Sequence, residues 1–237
     1  MKYINSENLF DYAFLNLDTL HYPVRAVCVN FHGYTDATIF ERSNDVAREL
    51  GEAGILFVFP YYSVWAWMSQ SSREFIEQVL DAAYDRLSLD ETVPLIVSGG
   101  SMGGLTALNY LIYGKRRAIG CALNCPVSDM KGIFDDKWDI RRAILSAHIL
   151  EDTPLSDVLM RYSPVYFADK LPKIPYFLIY GDKDPYFFET QMPPFIERLE
   201  SLNVDFKLIK QAGMLHCDIK SHPEALSEYC SFIKSLA

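Results

Sequence analysis

Short apolar runs alternate with longer amphipathic stretches along most of this chain, and this alternation constrains the fold more than any other feature. The runs are rich in β-branched and aromatic residues, and they lie at 24–31, 54–60, 93–99, 118–125, 176–181 and 204–210. They are apolar nearly throughout rather than at every second position, which is typical of parallel strands covered by helices on both faces. The pattern therefore predicts an α/β fold with a mostly parallel sheet.

The stretches between the runs predict helices at roughly 38–53, 72–87, 102–113, 190–202 and 222–236. The second of these illustrates the argument. Phe75, Val79 and Ala82 recur at helical spacing behind a polar cap position at Ser71 or Ser72. The apolar stripe of this helix is expected to face the sheet.

One interval between two predicted strands is too long to contain a single connecting helix. About fifty residues separate the run ending at Cys125 from the run starting at Tyr176, whereas a strand-helix-strand unit needs one helix and two short loops. Residues 138–150 and 156–162 of this interval are helical in pattern. We expect a single domain over residues 1–237, since one hydrophobic core can organise that length, with a small helical cap insertion at about 127–172.

Charge and composition exclude several function classes. Lys and Arg total 22 against 31 Asp and Glu, a net charge of −9, and no basic cluster is longer than 115–117, so nucleic acid is not an expected partner. No apolar stretch has the length of a membrane span or a signal peptide. The five cysteines are odd in number and scattered, which fits reduced thiols filling the core. A cytoplasmic protein is expected, and its oligomeric state stays open.

The segment 93–105 carries a motif with a chemical meaning. It reads as a buried strand, the turn Gly99-Gly100-Ser101-Met102-Gly103, and a helix. A serine on such a turn projects from the sheet edge, and the N–H groups at the start of the helix point toward whatever it attacks. The glycine-rich turns that bind phosphates have other spacings, GxGxxG or GxxxxGK[ST]. Ser101 is therefore the predicted nucleophile.

A serine nucleophile needs a base, and five histidines are available. His216 lies between the last strand and the last helix, at the same carboxyl edge of a parallel sheet as Ser101. The others are less suitable: His21 precedes the first clear strand, His32 ends a strand, His148 lies in the insertion, and His222 marks a helix start. His216 is the predicted base.

The acid that orients the base is expected after the strand at 176–181. Asp182 and Asp184 compete for this role, and one of them is expected only to accept hydrogen bonds from local backbone N–H groups. Either choice keeps the chain order serine, acid, histidine, with each residue on a successive strand-end loop. This is the order of the α/β-hydrolases.

With these motifs, the sequence resembles the catalytic domain of the prolyl-oligopeptidase-like serine hydrolases. The matching pieces are His32-Gly33-Tyr34, the turn Gly99 to Gly104, Ser163-Pro164 ahead of Ile174-Pro175, Gly181 to Asp184, and Gly213 with His216. The resemblance implies that Asp184 is the acid. It also implies an oxyanion hole made by the N–H of Met102 and by Tyr34, through its N–H or its hydroxyl, with His32 bracing that loop.

Two departures from the family bear on function. Only about two dozen residues precede the first core strand, so the chain lacks the propeller that screens substrates by size in the oligopeptidases. The usual amino-terminal strands are reduced to one, near 12–17. Ester cleavage is therefore favoured over peptide cleavage.

Aromatic residues cluster in the loop 60–68, which follows a strand and includes Trp65 and Trp67. They pack the insertion onto the sheet, or they join Trp138 and 186–188 in binding a bulky apolar or aromatic substrate group. No Lys or Arg is placed to clamp an anionic substrate, so neutral small-molecule esters are favoured.

The predicted reaction is two-step acyl transfer that requires no metal or organic cofactor. Peptide or amide hydrolysis and acyl transfer to an alcohol remain alternatives within this class. A non-catalytic binding protein with the same fold is the alternative from another class.

Overall fold

The alternating pattern folds as one mostly parallel sheet in the computed structural model, which describes residues 3–186 and 190–237. Within those residues seven strands lie in the order β1-β3-β2-β4-β5-β6-β7. They are β1 (Ala13–Leu15), β2 (Ala26–Phe31), β3 (Ile55–Pro60), β4 (Leu95–Gly100), β5 (Ala118–Asn124), β6 (Tyr176–Gly181) and β7 (Phe206–Gln211). Only β1 runs antiparallel to its neighbour, β3. The predicted α/β class and all six predicted strands are confirmed.

Helices pack on both faces of this sheet. They are α1 (Asp45–Glu52), α2 (Gln70–Arg86), α3 (Met102–Tyr113), α4 (Met130–Asp136), α5 (Trp138–Ala147), α6 (Leu155–Arg161), α7 (Pro164–Phe167), α8 (Met192–Ser201) and α9 (Pro223–Ser235). Helix α1 packs on β3, α9 packs on β5, and these two helices contact each other. Helix α3 packs on β2, β4 and β5. None of the helices in the described part of the chain is long and apolar enough to cross a membrane.

The central strands are buried as predicted, but the last strand is not. Strands β2 to β6 are buried along almost their whole length, which explains their apolar runs. The prediction that helices cover β7 on both faces is wrong. This strand pairs only with β6 and exposes Lys207 and Lys210. Charged side chains of this kind keep an edge strand from pairing with other chains.

Two helix starts differ from the sequence prediction, and at one of them a side-chain cap explains the difference. The helix predicted from residue 38 begins at Asp45, where the Asn44 side chain accepts a hydrogen bond from the N–H of Ala47 (2.9 Å). The helix predicted from residue 72 begins at Gln70, after Ser69. Asn44 caps α1 because its amide oxygen satisfies an N–H of the first turn that has no partner inside the helix.

Residues 127–172 between β5 and β6, the inserted segment, contain helices α4 to α7. Its core side chains include Ile133, Ile144 and Leu159, all buried. The ring of His148 joins the segment to the loop after β3, since its nitrogens lie 2.8 Å from the backbone oxygen of Trp67 and 2.6 Å from a Glu151 carboxylate oxygen. The segment is thus an ordered helical addition to the sheet.

Candidate active site

Ser101 occupies a strained turn between β4 and α3. Its backbone angles are φ 54° and ψ −124°, a left-handed region that residues with a side chain rarely adopt. Its N–H donates to the backbone oxygens of Asn124 (3.1 Å) and Cys125 (3.2 Å), and its own oxygen accepts from Val127 N–H (3.0 Å). These bonds to the end of β5 hold the turn in place, so that Ser101 stands at the carboxyl edge of the sheet.

Crowding explains the glycines around this serine. A Cβ on Gly99 would lie 2.5 Å from the backbone of Gly103, and a Cβ on Gly103 would collide with the backbone oxygen of Phe31. A Cβ on Gly104 would lie 2.5 Å from the Pro126 ring. Helix α3 can begin directly after the strand only because these positions lack side chains.

Asp184 and His216 meet at the same edge. The Nδ1 of His216 lies 2.7 Å from Oδ2 of Asp184, whose side chain is almost completely buried. The other carboxylate oxygen of Asp184 accepts from the N–H of Tyr186 (2.8 Å). Since a carboxylate can only accept, His216 carries a proton on Nδ1 and leaves Nε2 for other chemistry.

The structure separates the two candidate aspartates. Asp182 is half-buried, and its carboxylate accepts from the N–H of Gly213 (2.7 Å), so it satisfies a local backbone donor. Asp184 is the one that contacts His216. Of the other histidines, His148 belongs to the inserted segment and His222 immediately precedes α9.

The loop 32–34 lies against the serine turn. A Cβ on Gly33 would come within 3.8 Å of Cβ of Ser101. His32 braces this loop, because its ring nitrogens bond the backbone oxygens of Gly33 (2.9 Å) and Tyr62 (3.1 Å) and its ring stacks on Tyr62. Tyr34 follows directly and packs against Trp67. The N–H of Met102 belongs to the first turn of α3, whose donors have no partner inside the helix.

Ser101, His216 and Tyr34 line one cavity of about 360 Å³. Apolar and aromatic side chains form much of its lining, namely Phe40, Val46, Phe57, Phe59, Leu226 and Tyr229. Two charged side chains of opposite sign, Asp36 and Lys220, also line it. Sequence reasoning missed this apolar wall because its residues come from the middle of β3 and from α1 and α9, far from any motif.

The three tryptophans expected in a substrate pocket are not among the described residues that line this cavity. Trp67 is buried, and its backbone oxygen contacts His148 of the inserted segment, which favours the packing interpretation. Trp65 and Trp138 are 53% and 83% exposed. Tyr186 does reach the site, with its ring edge against the imidazole of His216. Phe187 and Phe188 lie outside the described residues.

Two thiols adjoin the imidazole, and the sequence did not indicate them. Sγ of Cys217 lies 3.8 Å from Nε2 of His216 and 3.3 Å from the backbone oxygen of Asn124. Sγ of Cys125 accepts from the N–H of Cys217 (3.4 Å). Among the described residues, no hydrogen bond joins the Ser101 hydroxyl to the His216 imidazole. The Cys217 thiol approaches Nε2 here, and the Cys125 thiol belongs to the same cluster.

The surroundings of His216 shift its pKa upward. Burial alone would lower that pKa, because it penalises the imidazolium. Hydrogen bonds with Asp184 and with the Cys125 thiol outweigh burial and raise the pKa of His216 to about 9. The hydrogen bond from Cys217 and the nearby His216 lower the pKa of Cys125 despite its burial. The site thus favours positive charge on the imidazole and negative charge beside it.

Several solved structures share this fold. Puromycin hydrolase superposes with a TM-score of 0.73 at 20% identity, covering 90% of this chain and 34% of that one. The Pyrococcus horikoshii acylaminoacyl peptidase gives 0.69 at 16% identity, covering 91% and 38%. A thermostable carboxyl esterase from Bacillus coagulans gives 0.67 at 16% identity, covering 94% and 93%.

These likenesses establish the fold, which is that of the α/β-hydrolases. The chain spans only about a third of the length of the first two proteins, but nearly the whole esterase. No protein-family model matches the sequence, and no curated protein matches it.

The crowded turn predicts a large stability difference between two glycine variants. Gly103→Ala should lower the free energy of unfolding by about 3 kcal/mol, because its methyl group meets backbone atoms that cannot move aside. Gly213→Ala should cost about 1 kcal/mol, because that position has a positive φ but open space around it. Urea unfolding measures both; equal costs would show that crowding does not require the glycine at 103.

The surroundings of two histidines predict pKa shifts in opposite directions. In an NMR titration the imidazole of His216 should titrate near pH 9. Asp184→Asn should lower that pKa, because the carboxylate no longer stabilises the imidazolium. His32, whose pKa is lowered by burial, should titrate below its usual 6.5 and serves as the internal control. A wild-type His216 pKa at or below 6.5 would contradict the assignment of its partners.

Proposed function

We propose that this α/β-hydrolase-fold chain is a serine hydrolase, and that it cleaves carboxylic esters of small apolar or aromatic substrates through an acyl-enzyme intermediate. One observation carries the proposal. A serine on a strained strand-to-helix turn and a histidine bonded to a buried aspartate line the same cavity. This combination supplies a nucleophile, a base and an orienting acid at one sheet edge.

In the proposed reaction, Oγ of Ser101 attacks the ester carbonyl while Nε2 of His216 takes the hydroxyl proton. Only the neutral imidazole can do so, and its fraction increases with pH toward the His216 pKa of about 9. Asp184 keeps the imidazole in the tautomer that presents Nε2 and stabilises the imidazolium that forms. The serine–histidine hydrogen bond would form with substrate present, since such bonds are often long in unliganded enzymes. His216 then gives the proton to the leaving alcohol and later activates the water that releases the acyl group.

The negative charge that develops on the carbonyl oxygen needs donors close to Ser101. The N–H of Met102 is one, because it lies in the first turn of α3, where the helix dipole also favours negative charge. Tyr34 is the other, through its N–H or its hydroxyl, since Gly33 brings its loop against Ser101. His32 acts here only by holding the loop.

The apolar lining of the cavity suits the acyl group of the ester. Its wall is formed by the Phe40, Phe57 and Phe59 side chains together with Leu226 of α9. A pocket lined by these apolar side chains, in which Asp36 and Lys220 have opposite charges, favours a neutral ligand. These residues, rather than the tryptophans, are the proposed substrate-binding wall.

Hydrolysis of small peptides or amides is the second candidate, favoured by the likeness to an acylaminoacyl peptidase. The esterase is preferred because the apolar side chains that line the cavity suit a neutral ester better than a polar peptide. The catalytic groups themselves serve either substrate.

Substrate panels should separate these candidates. Wild-type protein should hydrolyse p-nitrophenyl esters at least tenfold faster than aminoacyl p-nitroanilides in kcat/KM. Ser101→Ala should lower kcat on the esters by about 10³-fold or more, because the nucleophile is gone. Faster turnover of the anilides would reverse the ranking in favour of the peptidase.

A fluorophosphonate probe provides the matched control. It should label wild-type protein and Ser71→Ala, a substitution at an exposed serine outside the cavity, to the same extent. It should not label Ser101→Ala. Labelling that persists in Ser101→Ala would exclude this residue as the nucleophile.

The acyl pocket predicts a change in chain-length preference. Leu226→Trp should lower the ratio of kcat/KM for p-nitrophenyl octanoate to that for the acetate by about tenfold, because the indole occupies cavity space that a long acyl chain needs. Leu202→Trp, at a partly buried leucine that does not line the cavity, should leave the ratio unchanged. Equal ratios in both variants would mean that the acyl group binds elsewhere.

A further inference from the structure

Three side chains with metal-ligand chemistry converge beside the serine turn. They are Cys125, His216 and Cys217, and one donor atom of each lies within 4.8 Å of the other two. The two cysteines are 92 residues apart in the sequence, so the cluster exists only in the folded chain. The proposed reaction uses His216 but neither thiol.

Backbone strain accompanies the meeting of the two thiols. Cys125 has φ 46° and Cys217 has φ 58°, so both adopt a left-handed conformation that costs a non-glycine residue about 1–2 kcal/mol. The hydrogen bond from the N–H of Cys217 to Sγ of Cys125 links the two directly. Strain of this kind is concentrated at functional sites, where the surrounding structure maintains it.

We propose that Cys125, Cys217 and Nε2 of His216 form a binding site for one soft divalent metal ion of the Zn²⁺ class, and that the bound ion reversibly blocks hydrolysis. Binding releases two protons, one from the Cys217 thiol and one from the Cys125–His216 pair, because the ligands are two thiolates and a neutral imidazole. The inhibitory part rests on the proposed function, since it requires Nε2 to be the catalytic base. The metal-binding part does not.

The distances suit such an ion. With Zn–S bonds of about 2.3 Å and Zn–N bonds of about 2.0–2.1 Å, tetrahedral ligands lie about 3.5–3.8 Å apart. Nε2 of His216 and Sγ of Cys217 are already 3.8 Å apart, and no pair of donor atoms exceeds 4.8 Å. The cluster therefore needs to close by about 1 Å at most to coordinate the ion.

Asp184 adds the support that metal-bound histidines usually have. Its carboxylate accepts the Nδ1 proton of His216 at 2.7 Å, which directs the lone pair of Nε2 toward the thiols. Two thiolates and one imidazole form a ligand set that soft metal ions prefer over Mg²⁺ or Ca²⁺. His216 and Cys217 also line the cavity, so the ion has a path to the site.

Metal binding and general-base catalysis require the same lone pair. An ion held on Nε2 prevents His216 from taking the proton of Ser101, so hydrolysis should stop while the ion is bound and return when a chelator removes it. The ion thus inhibits the enzyme without touching the acyl pocket.

The test measures binding separately from activity. Ser101→Ala retains all three ligands but lacks the nucleophile, so it can be titrated with Zn²⁺ by calorimetry and with Co²⁺ by thiolate-to-metal absorption, both under a phosphine reductant. We expect one equivalent of either ion. Adding Cys125→Ala, Cys217→Ala or His216→Asn should weaken binding at least tenfold, and Asp184→Asn should weaken it about tenfold.

Cys121→Ala is the matched control, because Cys121 is a buried cysteine of β5, the strand that ends just before Cys125, and is not part of the cluster. It should bind the ions as Ser101→Ala alone does. Circular dichroism checks that each variant is folded. In protein with Ser101 present, Zn²⁺ should inhibit ester hydrolysis over the concentration range in which it binds, and a chelator should restore the rate.

The outcomes distinguish the two proposals. Failure of folded Ser101→Ala to bind the ions, or binding that persists without both thiols, would overturn the metal site and leave the hydrolase proposal intact. Ligand-dependent binding with no loss of ester hydrolysis would support the site but overturn its inhibitory role, and with it His216 as the base. Binding and inhibition that disappear together in the cysteine variants would support the whole inference.

Discussion

Close backbone packing between β4 and α3 is the constraint on which the rest of the structure depends. Gly103 lies so near the end of β2 that a methyl group there would strike the backbone oxygen of Phe31. This approach forces Ser101 into its left-handed conformation and sets it beside the loop 32–34. The first turn of α3 and the oxyanion donors that we propose are positioned by the same contact. The geometry of the site is thus a consequence of how tightly one helix joins the sheet.

The second organising feature is the His216 imidazole, which lies between a carboxylate and two thiols. On one side of His216, Asp184 accepts the Nδ1 proton, and on the other side the thiols of Cys125 and Cys217 approach Nε2. The carboxylate is useful to catalysis and to metal binding alike, because both need Nε2 as a lone-pair donor. Hydrolysis and coordination therefore exclude each other, and this couples the proposed activity to the availability of a soft metal ion.

Prediction from sequence succeeded where local patterns decide the outcome. The apolar runs became strands, and the turn around Ser101 formed between a strand and a helix. The prediction was wrong for β7 because burial depends on the position of a strand in the sheet, although its two lysines were a signal of an edge. The tryptophans predicted to bind substrate are likewise not among the described residues that line the cavity. Loop residues have no periodicity, so only tertiary contacts could show that Trp67 is buried beside the inserted segment.

By itself, the sequence determined the α/β class, the strand-turn-helix around Ser101, and the strand-end loops that carry Asp184 and His216. These follow from periodicity and from the rule that parallel strands end at one edge. The residues alone left Asp182 and Asp184 open and the resemblance favoured Asp184, whereas the tertiary structure showed that Asp184 contacts the histidine. Only the tertiary structure decided that Cys125 meets Cys217 across 92 residues. The reason is physical: a backbone pattern specifies which edge a residue reaches, whereas distances between side chains depend on how several elements pack together.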